Sequence, residues 1–174
     1  MALAYAGITY QMRRDMCELR DTVGELRELC DRYGFAYYRE WGLVLGGWSR
    51  TDESGIDLAR LGINNLKSEG SFARMPYWLS LLADLSARNN RPDVARATLD
   101  AALVAGQARD DLWWLPEVMR MRAAYDDQDA AISRLRSAAR LACAHGSTAL
   151  LRRCERDLAE RGVRPSTPGF LPVP

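Results

Sequence analysis

The chain has a single histidine, His145, and a single lysine, Lys67, in its 174 residues. One imidazole cannot complete a familiar zinc set with the four cysteines, because Cys17, Cys30, Cys143 and Cys154 contain no CxxC pair. It also leaves nucleophilic catalysis without a choice of base, since such chemistry needs an activated nucleophile beside an oriented proton acceptor. His145 stands one residue before Gly146, where a cation would favour the end of a preceding helix. Neither a cofactor nor a catalytic residue is expected.

Other absences narrow the class further. No uncharged stretch approaches membrane-spanning length, and no basic segment precedes the first apolar residues as in a secretory signal. The charges are 24 basic and 23 acidic, net +1, and they are interspersed. Without a basic block, general binding to nucleic acid or an anionic membrane is not expected. The scarcity of lysine beside many arginines fits a GC-rich genome. The four cysteines fall in helical stretches, where free Cys usually acts as a small buried apolar residue. The expected setting is therefore reducing and cytoplasmic. Period-two alternation is missing, so no sheet is predicted.

What is present is a register. Counting back from Gly70, offsets of fifteen, eleven and eight fall on Gly55, Ala59 and Gly62. The same offsets from Asp110 give Ala95, Leu99 and Ala102, and from Gly146 they give Ala131, Leu135 and Ala138. The end points Gly34, Gly70, Asp110 and Gly146 are 36, 40 and 36 residues apart. Repetition at that period marks stacked helical hairpins, each needing a neighbour to bury its apolar face. With 48% apolar residues, the chain has material for a substantial core.

Nine helices are predicted, over 2–14, 16–33, 36–50, 54–69, 75–89, 92–109, 113–125, 128–145 and a last one capped by Ser147. Gly34, Gly70 and Gly146 are expected to end helices in the left-handed conformation. Gly62, Ala102 and Ala138 are expected to let paired helices approach closely. The acidic pairs Asp52–Glu53, Asp110–Asp111 and Asp126–Asp127 fall in predicted turns, where acids cap helices or are solvated. The helical repeat domain is assigned to 1–161. The tail 162–174, with Pro165, Pro168, Pro172 and Pro174, is expected to be extended.

The small-large-small offsets match the second-helix pattern of tetratricopeptide repeats, and Trp41, Leu45 and Trp48 resemble its first-helix pattern. The stretches YREWGLVLGGW (38–48), MPYWLSLLA (75–83) and WWLPEVMRMR (113–122) resemble the C-terminal repeat region of bacterial multidomain regulators. Those proteins join a cyclase-like or DNA-binding domain to a signal-transduction ATPase, and LuxR-type activators are among them. The resemblance covers roughly residues 3–160. It implies an all-α, right-handed superhelix of stacked antiparallel hairpins with a scaffold role in transcription regulation or signal transduction. Asp110 stands where the other repeats end in glycine, and the Pro-rich tail departs from the family's ending. No GxxxxGK[ST] loop, cyclase catalytic region or helix-turn-helix is present, so ATP and DNA chemistry do not carry over.

The expected function is a non-enzymatic protein- or peptide-binding scaffold or sensor. Small-molecule effector sensing and self-association are the alternatives. The partner expected is a protein or peptide, for instance an ATPase or cyclase-type regulator, and the first helix, lacking a capping repeat, implies a homo-oligomer such as a homodimer. Trp, Tyr and Arg dominate interface hot spots, and they concentrate in the odd-numbered helices. The predicted partner-binding set is Tyr38, Arg39, Arg74, Tyr77, Trp113, Trp114, Arg120 and Arg122. Trp41, Trp48 and Trp78 are expected in the core. Trp113 and Trp114 are expected to diverge, because adjacent helical residues point about 100° apart.

Overall fold

A computed structural model describes residues 1–50 and 52–163. The expectation for the prolines of the tail lies outside the described residues. Within them all regular structure is helical: α1 (Ala2–Arg13), α2 (Met16–Tyr33), α3 (Ala36–Trp48), α4 (Glu53–Ser68), α5 (Met75–Arg88), α6 (Pro92–Arg109), α7 (Leu115–Arg122), α8 (Gln128–Ala144) and α9 (Thr148–Glu160). A 3-10 turn, Ala123–Tyr125, follows α7. No described helix is long and apolar enough to cross a membrane.

The predicted boundaries hold within two residues except at α7. There Trp113 and Trp114 form a turn leading into the helix, and Pro116 occupies the first turn, where its missing N–H removes no helical bond. The other end tightens to 3-10 before Asp126 turns extended, at φ −97° and ψ 160°.

Helix ends follow one recipe. Gly34, Gly70 and Gly146 have φ of 71°, 72° and 65°, and the next residue's N–H reaches back five residues: Phe35 to Cys30, Ser71 to Leu66 and Ser147 to Ala142. That closure satisfies carbonyls the helix leaves orphaned. Asp110 takes the same conformation at φ 54°, with Asp111 N–H bonded to the Gly106 carbonyl at 3.0 Å. Arg14 and Asn90 do likewise after α1 and α5, at φ 59° and 56°, which the sequence reading did not anticipate.

The stretch 1–161 is read from the sequence as one repeat domain; its described residues fall into two compact units, divided between Asp111 and Leu112. The first holds the hairpins α1–α2, α3–α4 and α5–α6, with α3 touching both α1 and α5. The offset register is buried throughout α4 and α6, and α2 carries it too, through Leu19, Val23 and Leu26 counted back from Gly34. The tightest crossing is α3 on α4. A Cβ added to Gly47 would lie 2.5 Å from the Gly55 carbonyl oxygen, and one on Gly62 would lie 2.8 Å from that of Glu40. The register pointed to Gly55 and Gly62 but not to their counterpart Gly47.

In the second unit α8 packs against α7 and α9, and α7 touches α9. Its apolar centre is Ala123, Ala131, Leu135 and Leu158, with Ile132 and Val163 against them. Ala138, third in the register, is fully buried.

Candidate functional site

In the first unit the odd-numbered helices gather an aromatic cluster around Trp41 of α3. Its ring centre lies 5.1 Å from Trp78 on α5, 5.5 Å from Tyr5 on α1, and 5.4 Å from both Tyr37 and Tyr38. These mostly tilted or edge-to-face contacts are the arrangement that ring quadrupoles favour. Trp41, Trp48 and Trp78 are buried, as expected. The Nε1–H groups of Trp41 and Trp78 have no hydrogen-bond acceptor, so both indoles serve as apolar bodies; such omissions cost about 1–3 kcal/mol each.

The outer part of the cluster is accessible. Tyr5 is exposed, Tyr37 and Tyr38 are half-buried, and Arg74 is partly covered. The Arg74 guanidinium lies 5.2 Å from the Tyr5 ring centre and 5.1 Å from that of Trp41, within cation–π range. It also donates to Tyr5 Oη at 2.8 Å. Arg74 itself sits at φ 62° just before α5, a left-handed conformation that non-glycine residues seldom adopt.

The eight predicted residues divide by environment. Tyr38 and Arg74 belong to this accessible cluster. Arg39 is exposed and reaches the buried Glu40 at 3.3 Å, whose other oxygen accepts from Asn65 at 2.7 Å. Tyr77 is fully buried. It donates to Gln11 Oε1 at 2.8 Å, and burial pushes its hydroxyl well above the ordinary tyrosine range. It is a core residue because α5, central in its unit, is covered on nearly all sides.

In the second unit Trp113 is 38% exposed and Trp114 is buried, with ring centres 5.1 Å apart. The rings touch and neither residue is helical, so the helical divergence expected of them does not arise. Arg120 and Arg122 are committed to carboxylates. Arg120 grips Glu117 with two bonds of 2.9 and 3.0 Å and reaches Asp157 at 2.7 Å. Arg122 holds Asp126 at 2.6 Å, and Arg134 takes that carboxylate's other oxygen at 2.5 Å. Tyr77, Trp114, Arg120 and Arg122 therefore hold the fold and do not face outward as a groove lining would.

Within the ionic cluster around Glu117 only Arg120, three residues further along α7, had a local sequence signal; Asp157 and Arg153 lie on α9. Arg153 of α9 also donates to Glu117, at 2.9 Å. Burial pushes the Glu117 carboxyl upward, but Arg120 and Arg153 outweigh that and leave it below the ordinary range. Against it, Cys154 is fully buried, and burial with the Glu117 charge pushes its thiol up to about 12.

The acidic pairs occupy helix ends. Asp52 and Asp127 precede α4 and α8, and Asp127 accepts from the Ala130 N–H at 2.9 Å. His145, predicted as the last residue of the eighth helix, follows α8 directly as its C-cap. Ser147 precedes α9 but makes no side-chain cap bond.

Among curated proteins the chain is similar to an uncharacterized protein of Rhizobium meliloti (strain 1021), 25% identical over 160 residues. The match covers 87% of this chain and 16% of that protein, so the chain spans only a small part of its relative's length. No family model matches. No solved structure matches.

Proposed function

We propose that this chain is a non-enzymatic, tetratricopeptide-like binding module, related to the repeat arm of bacterial transcriptional regulators. The observation that carries the reading is the accessible edge of the Trp41 cluster, where Tyr5 of α1, Tyr37 and Tyr38 of α3, and Arg74 just before α5 meet. Rigid aromatics and arginine side by side are the composition of protein-interface hot spots. Its partner is a protein or peptide, such as an ATPase or cyclase-type regulator, and the setting is cytoplasmic. Two further points support the reading. The buried register recurs in α2, α4, α6 and α8, as a repeat scaffold requires, and a much longer relative contains a similar segment.

The test is a peptide array probed with the whole chain, followed by calorimetry on the best binder. Tyr38→Ala and Arg74→Ala should each weaken binding about tenfold or more, the range of a hot-spot residue. A control at the exposed Arg96 should leave it unchanged. Equal affinity in all three variants would reject the aromatic edge as the binding face. Self-association into a homodimer is part of the proposal, and sedimentation at micromolar concentration tests it. A metabolite that raises the melting temperature, with no peptide bound, would favour the effector-sensing alternative.

A further inference from the structure

In the first unit α2, α3 and α4 line a cleft of about 170 Å³, with glycines contributed by α2 and α3. Gly24 of α2 leaves its helix backbone bare, Gly42 and Gly46 of α3 are covered by the side chains of Arg27 and Val23, and Arg20, Arg27 and Arg50 border the space. A second recess of about 410 Å³ continues outward between Arg20, Ser49, Arg50 and Asp52. No side chain of the aromatic cluster lines either space.

Among the described residues none of the three guanidiniums pairs directly with a carboxylate, whereas Arg39, Arg60, Arg91 and Arg96 each do. Among the described residues Arg27 makes no hydrogen bond or ion pair. Arg20 has only the Ser49 carbonyl, at 3.2 Å. Arg50 donates to Ser54 Oγ at 2.9 Å, and that hydroxyl in turn donates to Asp52 Oδ1 at 2.5 Å. Asp52 is the one carboxylate at the border, and Arg50 meets it only through Ser54.

Arg27 is also positioned. A Cβ on Gly42 would lie 3.0 Å from Arg27 Cγ, so the absent side chain lets the arginine stem lie along α3. Arg20 and Arg27 are seven residues apart on one helix, about 10 Å along its axis at 1.5 Å per residue. An extended peptide covers that distance in about three residues, at 3.3 Å each. Guanidinium forks match carboxylates in plane and spacing.

We propose that this cleft binds an extended acidic peptide segment, one carboxylate lodging between Arg20 and Arg50 and a second, about three residues away, on Arg27. The bare backbone at Gly24 lets the peptide lie close to α2. An elongated occupant is favoured because the space runs from Arg27 past Arg20 to an open outer recess. This goes beyond the aromatic face and stands or falls separately, since none of its residues belongs to that face.

The test is fluorescence anisotropy with a labelled peptide carrying two glutamates three residues apart, against its diglutamine counterpart. The acidic peptide should bind, weaken as salt rises, and lose about tenfold with Arg20→Gln or Arg27→Gln, as expected for a charge-assisted bond. Gly24→Leu is the folding-safe variant, because a Cβ at Gly24 meets nothing within 4 Å. It should keep the melting temperature and abolish binding by filling the cleft. Equal binding of the diglutamine peptide, or unchanged affinity in Arg27→Gln and Gly24→Leu, would overturn the proposal. So would displacement by inorganic triphosphate as efficient as by unlabelled acidic peptide, which would make the cleft a site for small oxyanions.

Discussion

Trp48 donates its indole N–H to Asp84 Oδ2 at 2.7 Å, tying the end of α3 to α5. Arg88 holds the same carboxylate at 3.2 Å, stacks 5.0 Å from the Trp48 ring centre, and donates to the Trp48 carbonyl at 3.0 Å. Two hairpins are thus joined by one carboxylate shared between an indole and a guanidinium. Asp84→Ala should cost about 1.5–3 kcal/mol, the range for hydrogen bonds to a charged group. Asp84→Asn, which keeps an acceptor, should cost less. Urea denaturation of the three proteins measures both.

Glycine substitutions should separate by location. Gly47→Ala and Gly55→Ala each force a Cβ to within 2.5 Å of a backbone oxygen across the α3–α4 crossing. Overpacking of that kind costs about 1–3 kcal/mol. Gly24→Ala meets open space on a helix surface and should instead stabilise by about 1 kcal/mol. Thermal melts showing the same sign for all three would contradict the crossing.

Asp110→Gly should stabilise the chain by about 1 kcal/mol, since a left-handed backbone strains residues with a Cβ. Gly70→Ala, at φ 72°, should destabilise by a similar amount. Calorimetric melting temperatures read both.

Stability should fall on acidification through Glu117. Its carboxyl is held below the ordinary range in the folded chain by Arg120 and Arg153, against the opposing effect of burial. A depressed folded value means the contribution is complete above the unfolded value, about 4.3 for glutamate, and is lost as pH drops through the folded one. Glu117→Gln should cost about 3 kcal/mol at neutral pH, because it leaves partly buried guanidiniums without their charge partner. The same variant should lose less stability than the parent between neutrality and strong acid.

Alkylation of the native chain should distinguish the cysteines. Cys17 and Cys143 are exposed, whereas Cys30 and Cys154 are buried. Burial raises both buried thiols, Cys154 to about 12, and the thiolate is the reactive form. Mass spectrometry after iodoacetamide at mildly alkaline pH should find Cys17 and Cys143 modified first, with the other two following denaturation.

Features written locally were legible before the fold was seen. Gly34, Gly70 and Gly146 marked helix ends because a positive φ selects glycine, and the offsets of Ala59, Leu99 and Leu135 marked buried seams. Features arising between helices were not. Gly47 looks like any helical glycine until Gly55 lies across from it. Arg120 and Arg122 read as surface residues until α9 and α8 bring Asp157 and Arg134 beside them and their carboxylates. Tyr77 shares its neighbourhood in sequence with Arg74, yet only the packing of α1, which supplies Gln11, decides that it lies inside. The arginine-lined cleft was invisible for the same reason. Its border draws Arg20 and Arg27 from α2 and Arg50 from beyond the end of α3.

The bonds from Trp48 to Asp84 and from Arg153 to Glu117 each span 36 residues, the distance from Gly34 to Gly70. A single residue inserted within a helix between such partners would rotate the later one by about 100° and carry it off its mate. Removing one whole stride would preserve phase. Length changes in this chain should therefore be tolerated in complete turns of the pattern, and a shortened version cut by one stride is the natural way to count how few hairpins still hold together.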